Sequence, residues 1–322
     1  MRTLEQLIQQ IHHEVQIQGW KADLNHLDVS SLKSFESLFA THAHGLETFN
    51  GNISRWDMSN ALTLREMFHD SFFKGDLSKW DVSKVIDMEG LFMRSRFNGD
   101  ISQWNTSNVK FMLRMFSHSS FNQPIGQWDV SNVVNMAEMF YSNQHFNQSL
   151  EKWNVSHVKN MIGMFAYSNF NQPLNSWDVR NLIKSASMFY HSPFNHPLSS
   201  WNVRNLERAN NMFEGTNFEH DLSQWELENL TNGFLMFSHS KVKAVPIPKK
   251  FRETQYVNFV GYIDHTPLFE QLVESGYEGI AQQDPSSHLL FEWIETQAKQ
   301  KHLEQHLHSS LDPTPHPRKI RL

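Results

Sequence analysis

The sequence predicts an α/β repeat solenoid: a stack of similar turns, each with one short parallel strand and one short helical segment, closed by helical caps. Tryptophan recurs every 24 residues, and one interval of 25 interrupts the series. A fixed period of this size is typical of solenoids, whose units bury their apolar faces against neighbouring units. The periodic tryptophans, which we predict to be structural core, are Trp56, Trp80, Trp104, Trp128, Trp153, Trp177, Trp201 and Trp225.

Two spacings of apolar residues define the predicted elements of each turn. Trp128 and Val130 are two residues apart, as on one face of a strand, whereas the apolar residues of segment 133–140 recur every three or four, as on a helix. Residues that favour helix N-caps stand seven places after the tryptophan in five turns, so we predict that the helical segment begins there. These residues are Thr63, Asp87, Asn135, Asn160 and Asn232.

A Phe-Asn pair precedes most of the tryptophans. Asparagine side chains readily bond nearby loop backbone, so we expect a structural ladder along the stack rather than a catalytic residue. Its members are Asn50, Asn98, Asn122, Asn147, Asn171 and Asn195. The extra residue of the 25-residue interval lies in segment 141–145, where we expect a surface bulge.

The chain divides into four predicted regions. Residues 1–23 form an N-terminal cap helix, in which Thr3 and Gln6 have capping-box spacing. Residues 24–240 form the solenoid of about nine turns, the first of them degenerate and followed by a longer loop at 40–48. Residues 241–308 form a helical C-terminal region, and the proline-rich residues 309–322 form a disordered tail.

No pattern of catalytic or metal-binding residues stands out, so we predict no enzyme, no cofactor and no metal site. The chain lacks cysteine, and it carries no phosphate loop or nucleophile elbow. His302 and His306 have a spacing that can bind a metal, but the glutamate of the metalloprotease pattern is missing. The histidines His118, His191 and His239 share one position of the repeat and resemble solvated loop residues.

Charge points to a protein partner. Residues 1–240 carry 18 Lys and Arg against 24 Asp and Glu, whereas residues 241–322 carry ten of each. An acidic array repels phosphate backbones, so we expect no nucleic acid and instead a partner with basic residues. Segment 1–10 lacks the apolar core of a secretory signal, and no apolar run is long enough to span a bilayer. We therefore expect a cytoplasmic monomer without membrane contact.

The residue between tryptophan and the next apolar residue should point outward. We call these residues the acidic row. We predict that they bind the partner, together with Arg180 and Arg204 in the later turns. The alternative is a solvated face with turn-forming aspartates. The acidic row comprises Asp57, Asp81, Asn105, Asp129, Asn154, Asp178, Asn202 and Glu226.

The motif Trp-Asp-Val-Ser-Asn-Val-x-x-Met, with Met-Phe after it and Phe-Asn before the next tryptophan, resembles the BspA-like leucine-rich repeat proteins. It is more similar still to the branch of that family common in mycoplasma lipoproteins and other bacterial proteins. The resemblance covers about residues 24–240. It implies a leucine-rich-repeat-like solenoid of bacterial type that binds other macromolecules.

Two functions remain open. The first is a non-enzymatic binding scaffold in the cytoplasm, for example an immunity or antitoxin protein that sequesters a partner. The second, which the resemblance favours, is an exported surface or adhesion protein or a secreted effector at the cell surface. An enzyme within residues 241–322 is a third reading that no motif supports.

Overall fold

The computed structural model describes residues 3–243 and 245. The chain begins with helix α1, Leu4–Gln18, whose capping box joins Thr3 and Gln6 as their spacing predicts. Its inner face buries Leu7, Ile11 and Val15 against the first repeats. Within this described part of the chain, no helix is long and apolar enough to cross a membrane. The helices and tail predicted after residue 245 lie outside the described residues.

Parallel β-bridges connect each repeat to the next. A first bridge joins Asp23 to Asn52, and a separate column runs from Ser34 to Asn232. The residues of this column are Ser34, Thr63, Asp87, Phe111, Asn135, Asn160, Lys184, Arg208 and Asn232. In the described repeats the β-structure consists of single-residue bridges, and no longer strand forms.

The predicted strand position is wrong. The Trp-x-Val segment carries no bridge in the described repeats, and the bridged residue lies seven places after the tryptophan. The alternation of side chains is nevertheless real: Trp128 and Val130 are buried and Asp129 is exposed. Alternating burial therefore identifies an extended segment here, but not the segment that pairs with the next repeat.

The predicted helical segment is also wrong, because the chain forms consecutive turns in its place. The amide of Met112 donates to the carbonyl of Asn135 in the next repeat at 3.0 Å, and the amide of Arg114 donates to that of Ala137 at 2.9 Å. The amide of Met115 donates instead to the carbonyl of Met112 in its own repeat, at 3.3 Å. Amides thus alternate between bonds across the stack and bonds that close turns, so the i to i−4 pattern of a helix does not form.

The residues predicted to be helix N-caps each cap a single turn instead. The side chain of Asn135 accepts a bond from the amide of Ala137 at 3.1 Å, and Thr63, Asp87, Asn160 and Asn232 accept in the same way. Each therefore caps a turn two residues ahead while its backbone makes the parallel bridge.

Two residues in every repeat from Trp56 onward adopt left-handed backbone geometry, with φ between +50° and +69°. They stand ten and fourteen places after the tryptophan. Glycine occupies three of these positions, and residues with side chains occupy the rest. The tenth-place residues are Glu66, Gly90, Arg114, Glu138, Gly163, Ser187, Asn211 and Leu235; the fourteenth-place residues are Asp70, Arg94, His118, Ser142, Tyr167, His191, Gly215 and His239.

Aromatic columns fill the core. Six pairs of successive indoles stack with ring centroids 6.1–6.5 Å apart and planes within 8° of parallel. All eight periodic indoles are 2–4% exposed. A second column of phenylalanines, from Phe39 to Phe237, has centroids 5.4–5.9 Å apart. The phenylalanine column continues across the 25-residue interval through Phe140 and Phe165, so the core extends from repeat to repeat.

The expected asparagine ladder is confirmed. The side-chain oxygen of Asn98 accepts a bond from the amide of Asn122 at 2.8 Å, and Asn122 accepts from Asn147 at 3.2 Å. The same link recurs from Asn147 to Asn171 and from Asn171 to Asn195. The Phe-Asn pair therefore connects the loops of successive repeats.

The extra residue of the 25-residue interval lies at the surface, as expected: Gln144 and His145 are both exposed, whereas most other repeats place a single residue between the buried serine and the buried phenylalanine. Asn143 is fully buried where most other repeats place a buried serine. Its amide nitrogen donates to the carbonyls of Phe116 and Phe121 and to the Ser119 hydroxyl. Its oxygen accepts from the amides of two residues that follow it, at 2.9 and 3.0 Å. A longer polar side chain thus satisfies the backbone that the insertion displaces.

Candidate protein-interaction surfaces

The acidic row is exposed, but most of its side chains accept hydrogen bonds from nearby backbone amides. Asp129 accepts a hydrogen bond from the amide of Ser131 at 3.0 Å, and Asn154 accepts from the amide of Ser156 at 3.1 Å. This bond to the residue two places on defines an Asx turn, which uses aspartate and asparagine interchangeably. It also forms at Asp57, Asp81, Asn105, Asp178 and Asn202. Turn formation therefore explains the residue type in the row without a partner.

The same bonds favour the ionised form of the carboxylates. Hydrogen bonds from the hydroxyl and amide of Ser131 lower the pKa of Asp129. Ser83 lowers the pKa of Asp81 in the same way, and the side chain of Arg180 lowers that of Asp178. These carboxylates therefore stay charged well into the acidic range.

The two predicted arginine contacts are engaged within the protein. Arg180 Nε lies 2.9 Å from Asp178 Oδ1, and Arg204 Nη2 lies 2.8 Å from Glu226 Oε2. Both pairs neutralise charges of the acidic row in the later repeats. A partner that used Arg180 or Arg204 would have to displace these ion pairs, at a cost of up to about 1 kcal/mol each, since both pairs are exposed.

A different surface, which sequence reasoning missed, carries contiguous exposed aromatic rings. We call it the tyrosine strip: His118, Tyr141, Tyr167, Tyr190 and His191. Ring centroids are 5.3 Å apart for His118 and Tyr141, 5.7 Å for Tyr141 and Tyr167, and 5.1 Å for Tyr167 and Tyr190. His191 stacks on Tyr167 at 5.7 Å with planes 6° apart.

Among the three tyrosines of the strip, exposure is highest at Tyr167. Tyr167 is 40% exposed, while Tyr141 and Tyr190 are half-buried. A hydrogen bond with Tyr167, with burial as a second cause, raises the pKa of Tyr190 to about 12. Tyr190 is therefore neutral at physiological pH and keeps its hydroxyl proton.

The strip lies at the left-handed positions and their neighbours. Tyr167, His118 and His191 stand fourteen places after their tryptophans, where φ is positive, and Tyr141 and Tyr190 stand thirteen places after theirs. The histidines interpreted as solvated loop residues are exposed, but His118 and His191 contact tyrosines of this strip. The detectable signal was the occurrence of tyrosine at the thirteenth or fourteenth place after the tryptophan in three successive repeats.

The repeats correspond to a described protein family. The family model "Mycoplasma protein of unknown function, DUF285" matches residues 6–119, 69–169, 93–193 and 167–251. The four overlapping matches span α1 and every repeat. The chain belongs to the DUF285 family. No curated protein and no solved structure matches it.

Membership accounts for the repetition of the chain. Each of the four matches is longer than three 24-residue repeats. One DUF285 segment therefore spans several repeats. The tyrosine strip falls within the matches to 69–169, 93–193 and 167–251. The candidate surface is therefore part of the DUF285 array.

Proposed function

We propose that this DUF285 chain is a non-enzymatic protein-binding scaffold and that the tyrosine strip is its contact surface. In this proposal the repeats form a leucine-rich-repeat-like solenoid related to the BspA-like proteins. The column of parallel bridges and the continuous aromatic core support a stack in which each repeat contacts its neighbours.

The observation that carries the proposal is the run of touching aromatic rings around Tyr167. Tyrosine is enriched among the residues that contribute most to protein–protein affinity, because it combines a large apolar ring with a hydroxyl. Neighbouring rings restrain one another here, so little side-chain entropy remains to be lost on binding.

Charge near the strip defines the chemistry of the partner. Burial is the main cause of the raised pKa of Tyr141 and the hydrogen bond with Tyr167 that of Tyr190. The nearby carboxylates of Glu138 and Glu214 add to these two shifts. Electron-rich rings beside carboxylates attract arginine and lysine through cation–π and ionic contacts. We propose a partner that presents basic side chains, in keeping with the acidic excess of residues 1–240.

Alanine substitution at Tyr167 tests the strip. Phe111 provides a matched control, because it is also an aromatic residue that is 40% exposed but belongs to the bridge column. In affinity capture from the native cell, Tyr167→Ala should lose a partner that wild type and Phe111→Ala retain. Equal recovery by both variants would exclude the strip, and loss with Phe111→Ala alone would move the contact to the bridge column.

For the biological role we propose a cytoplasmic immunity or antitoxin-like protein that sequesters a basic partner. The acidic excess supports this role, since masking a basic protein requires complementary charge. Fractionation of native cells distinguishes it from the alternative, an exported surface protein or secreted effector. Recovery of the protein mainly from the cell surface or medium would favour the alternative.

A further inference from the structure

The longer loop after the first repeat brings two histidines and a glutamate together. His42 from this loop faces Glu66 and His69 from the next repeat. His42 Nε2 lies 3.6 Å from Glu66 Oε2, and the two imidazole centroids are 5.1 Å apart. One ligand atom from each of the three residues lies within 4.8 Å of the other two.

Backbone hydrogen bonds hold the two segments in this arrangement. The amide of Thr41 donates to the carbonyl of His69 at 3.2 Å, and the Thr41 hydroxyl donates to that of Asp70 at 2.6 Å. The amide of His69 donates to the carbonyl of Glu66 at 3.0 Å, which closes the turn between these two ligands. The cluster is thus positioned by the fold before any ligand arrives.

One atom of the cluster lacks a partner. Among the residues that the structure describes, His69 Nδ1 is shielded from solvent and makes no hydrogen bond. A buried polar atom without a bond normally costs stability, so its retention requires an explanation.

We propose that His42, Glu66 and His69 form a binding site for a divalent transition-metal cation of the zinc type. Two imidazoles and one carboxylate are a common three-residue zinc ligand set that leaves one position for water. Ligand atoms around tetrahedral zinc are about 3.3 Å apart, given metal–ligand bonds of about 2.0–2.2 Å. In this proposal the separations of up to 4.8 Å shorten to this value on binding, by rotation of the His42 and Glu66 side chains.

The site has an accessible side. The side chain of His42 is 54% exposed and that of Glu66 31% exposed, so an ion can enter from solvent while His69 supplies the inner ligand. The competing interpretation is a simple ion pair between His42 and Glu66, which needs neither His69 nor a metal. The two interpretations differ in the consequences of adding metal.

Zinc titration of the full chain tests the proposal. After treatment with a chelator, isothermal titration calorimetry with Zn²⁺ should show a site that His42→Ala and Glu66→Gln each weaken by at least about 100-fold. The surface substitution His157→Ala, four repeats away, should leave that affinity unchanged. Zinc should also raise the melting temperature of wild type more than that of the two ligand variants, because it binds only the folded cluster.

Two results would overturn the site: no zinc binding by wild type, or the same affinity and stoichiometry in both ligand variants as in wild type. The second comparison also separates this cluster from any binding by His302 and His306, which every variant retains. His42→Ala is the decisive variant, since its side chain is more than half exposed and its loss does not open the core.

Discussion

The indole Nε1 of Trp128 donates a hydrogen bond to the carbonyl oxygen of Ile101 in the preceding repeat, at 3.0 Å. Each of the eight periodic tryptophans makes the equivalent bond at 2.9–3.0 Å. The bond gives the carbonyl of Ile101 a second donor beside the amide of Trp104, which lies 3.2 Å from it, while the ring fills the core. This double role explains why the position is tryptophan and not merely aromatic.

Replacing Trp128 with phenylalanine should therefore cost more than the change in apolar volume. The carbonyl of Ile101 loses one of its two donors and keeps the amide of Trp104 at 3.2 Å, so the lost hydrogen bond should cost about 0.5–1.5 kcal/mol. We expect a total loss of about 2–4 kcal/mol in urea unfolding, with a cavity contribution added to the hydrogen-bond loss. Phe116→Leu, which changes a core ring without removing a donor, serves as control. An equal or smaller loss for Trp128→Phe than for Phe116→Leu would contradict a role for the indole bond.

Asn143 should be among the most sensitive polar residues of the array. Substitution by alanine removes three donated and two accepted bonds from a fully buried site. We expect a loss of about 3 kcal/mol or more, since several backbone groups become unsatisfied together. Ser168→Ala is the matched control, because Ser168 occupies the corresponding place and makes fewer bonds. Equal losses for the two variants in urea unfolding would argue against a special role for Asn143.

Features that depend on side-chain burial can be predicted from this sequence, whereas features that depend on backbone geometry cannot. The alternation at Trp128, Asp129 and Val130 followed from polarity alone, as did the Thr3 capping box. The three-residue spacing of Val133 and Met136 suits both a helix and a series of turns, so polarity could not separate them. The feature that excludes a helix is the left-handed backbone of the tenth and fourteenth residues after each tryptophan.

Those left-handed positions were difficult to recognise because only Gly90, Gly163 and Gly215 reveal them. Elsewhere in the described repeats, residues such as Arg114 or Tyr167 occupy them and give no sequence signal. The tyrosine strip and the His42 cluster were missed for a related reason. Both join residues from different repeats, and their contacts depend on how the repeats align.

The left-handed geometry predicts opposite effects for two substitutions at Ser142, where φ is +52°. Glycine adopts this region without steric cost, so Ser142→Gly should stabilise the protein by up to about 1 kcal/mol. Valine is β-branched and strongly disfavours the region, so Ser142→Val should destabilise it by about 1–3 kcal/mol. Thermal unfolding of both variants measures the difference. A lower melting temperature for the glycine variant than for the valine variant would contradict the assigned backbone geometry.

The Asx turn at Asp129 predicts a dependence of stability on pH. Because bonds from Ser131 lower the pKa of Asp129 in the folded protein, the ionised carboxylate stabilises the fold above the unfolded pKa of about 3.9. This contribution disappears as pH falls through the folded pKa. Since Asp129 is exposed, we expect it to be below about 1 kcal/mol.

Asparagine at the same position keeps the acceptor at every pH, as Asn105 and Asn154 do in their repeats. Asp129→Asn should therefore show a shallower loss of melting temperature between pH 5 and about pH 2 than wild type does. Asn154→Asp, the reciprocal change in the next repeat, should steepen that loss. Parallel acid profiles for wild type and both variants would mean that the turn does not distinguish a carboxylate from an amide. Asp129→Lys removes the acceptor altogether and should lower the melting temperature at pH 7, so charge reversal in the acidic row perturbs the fold before it reports on a partner.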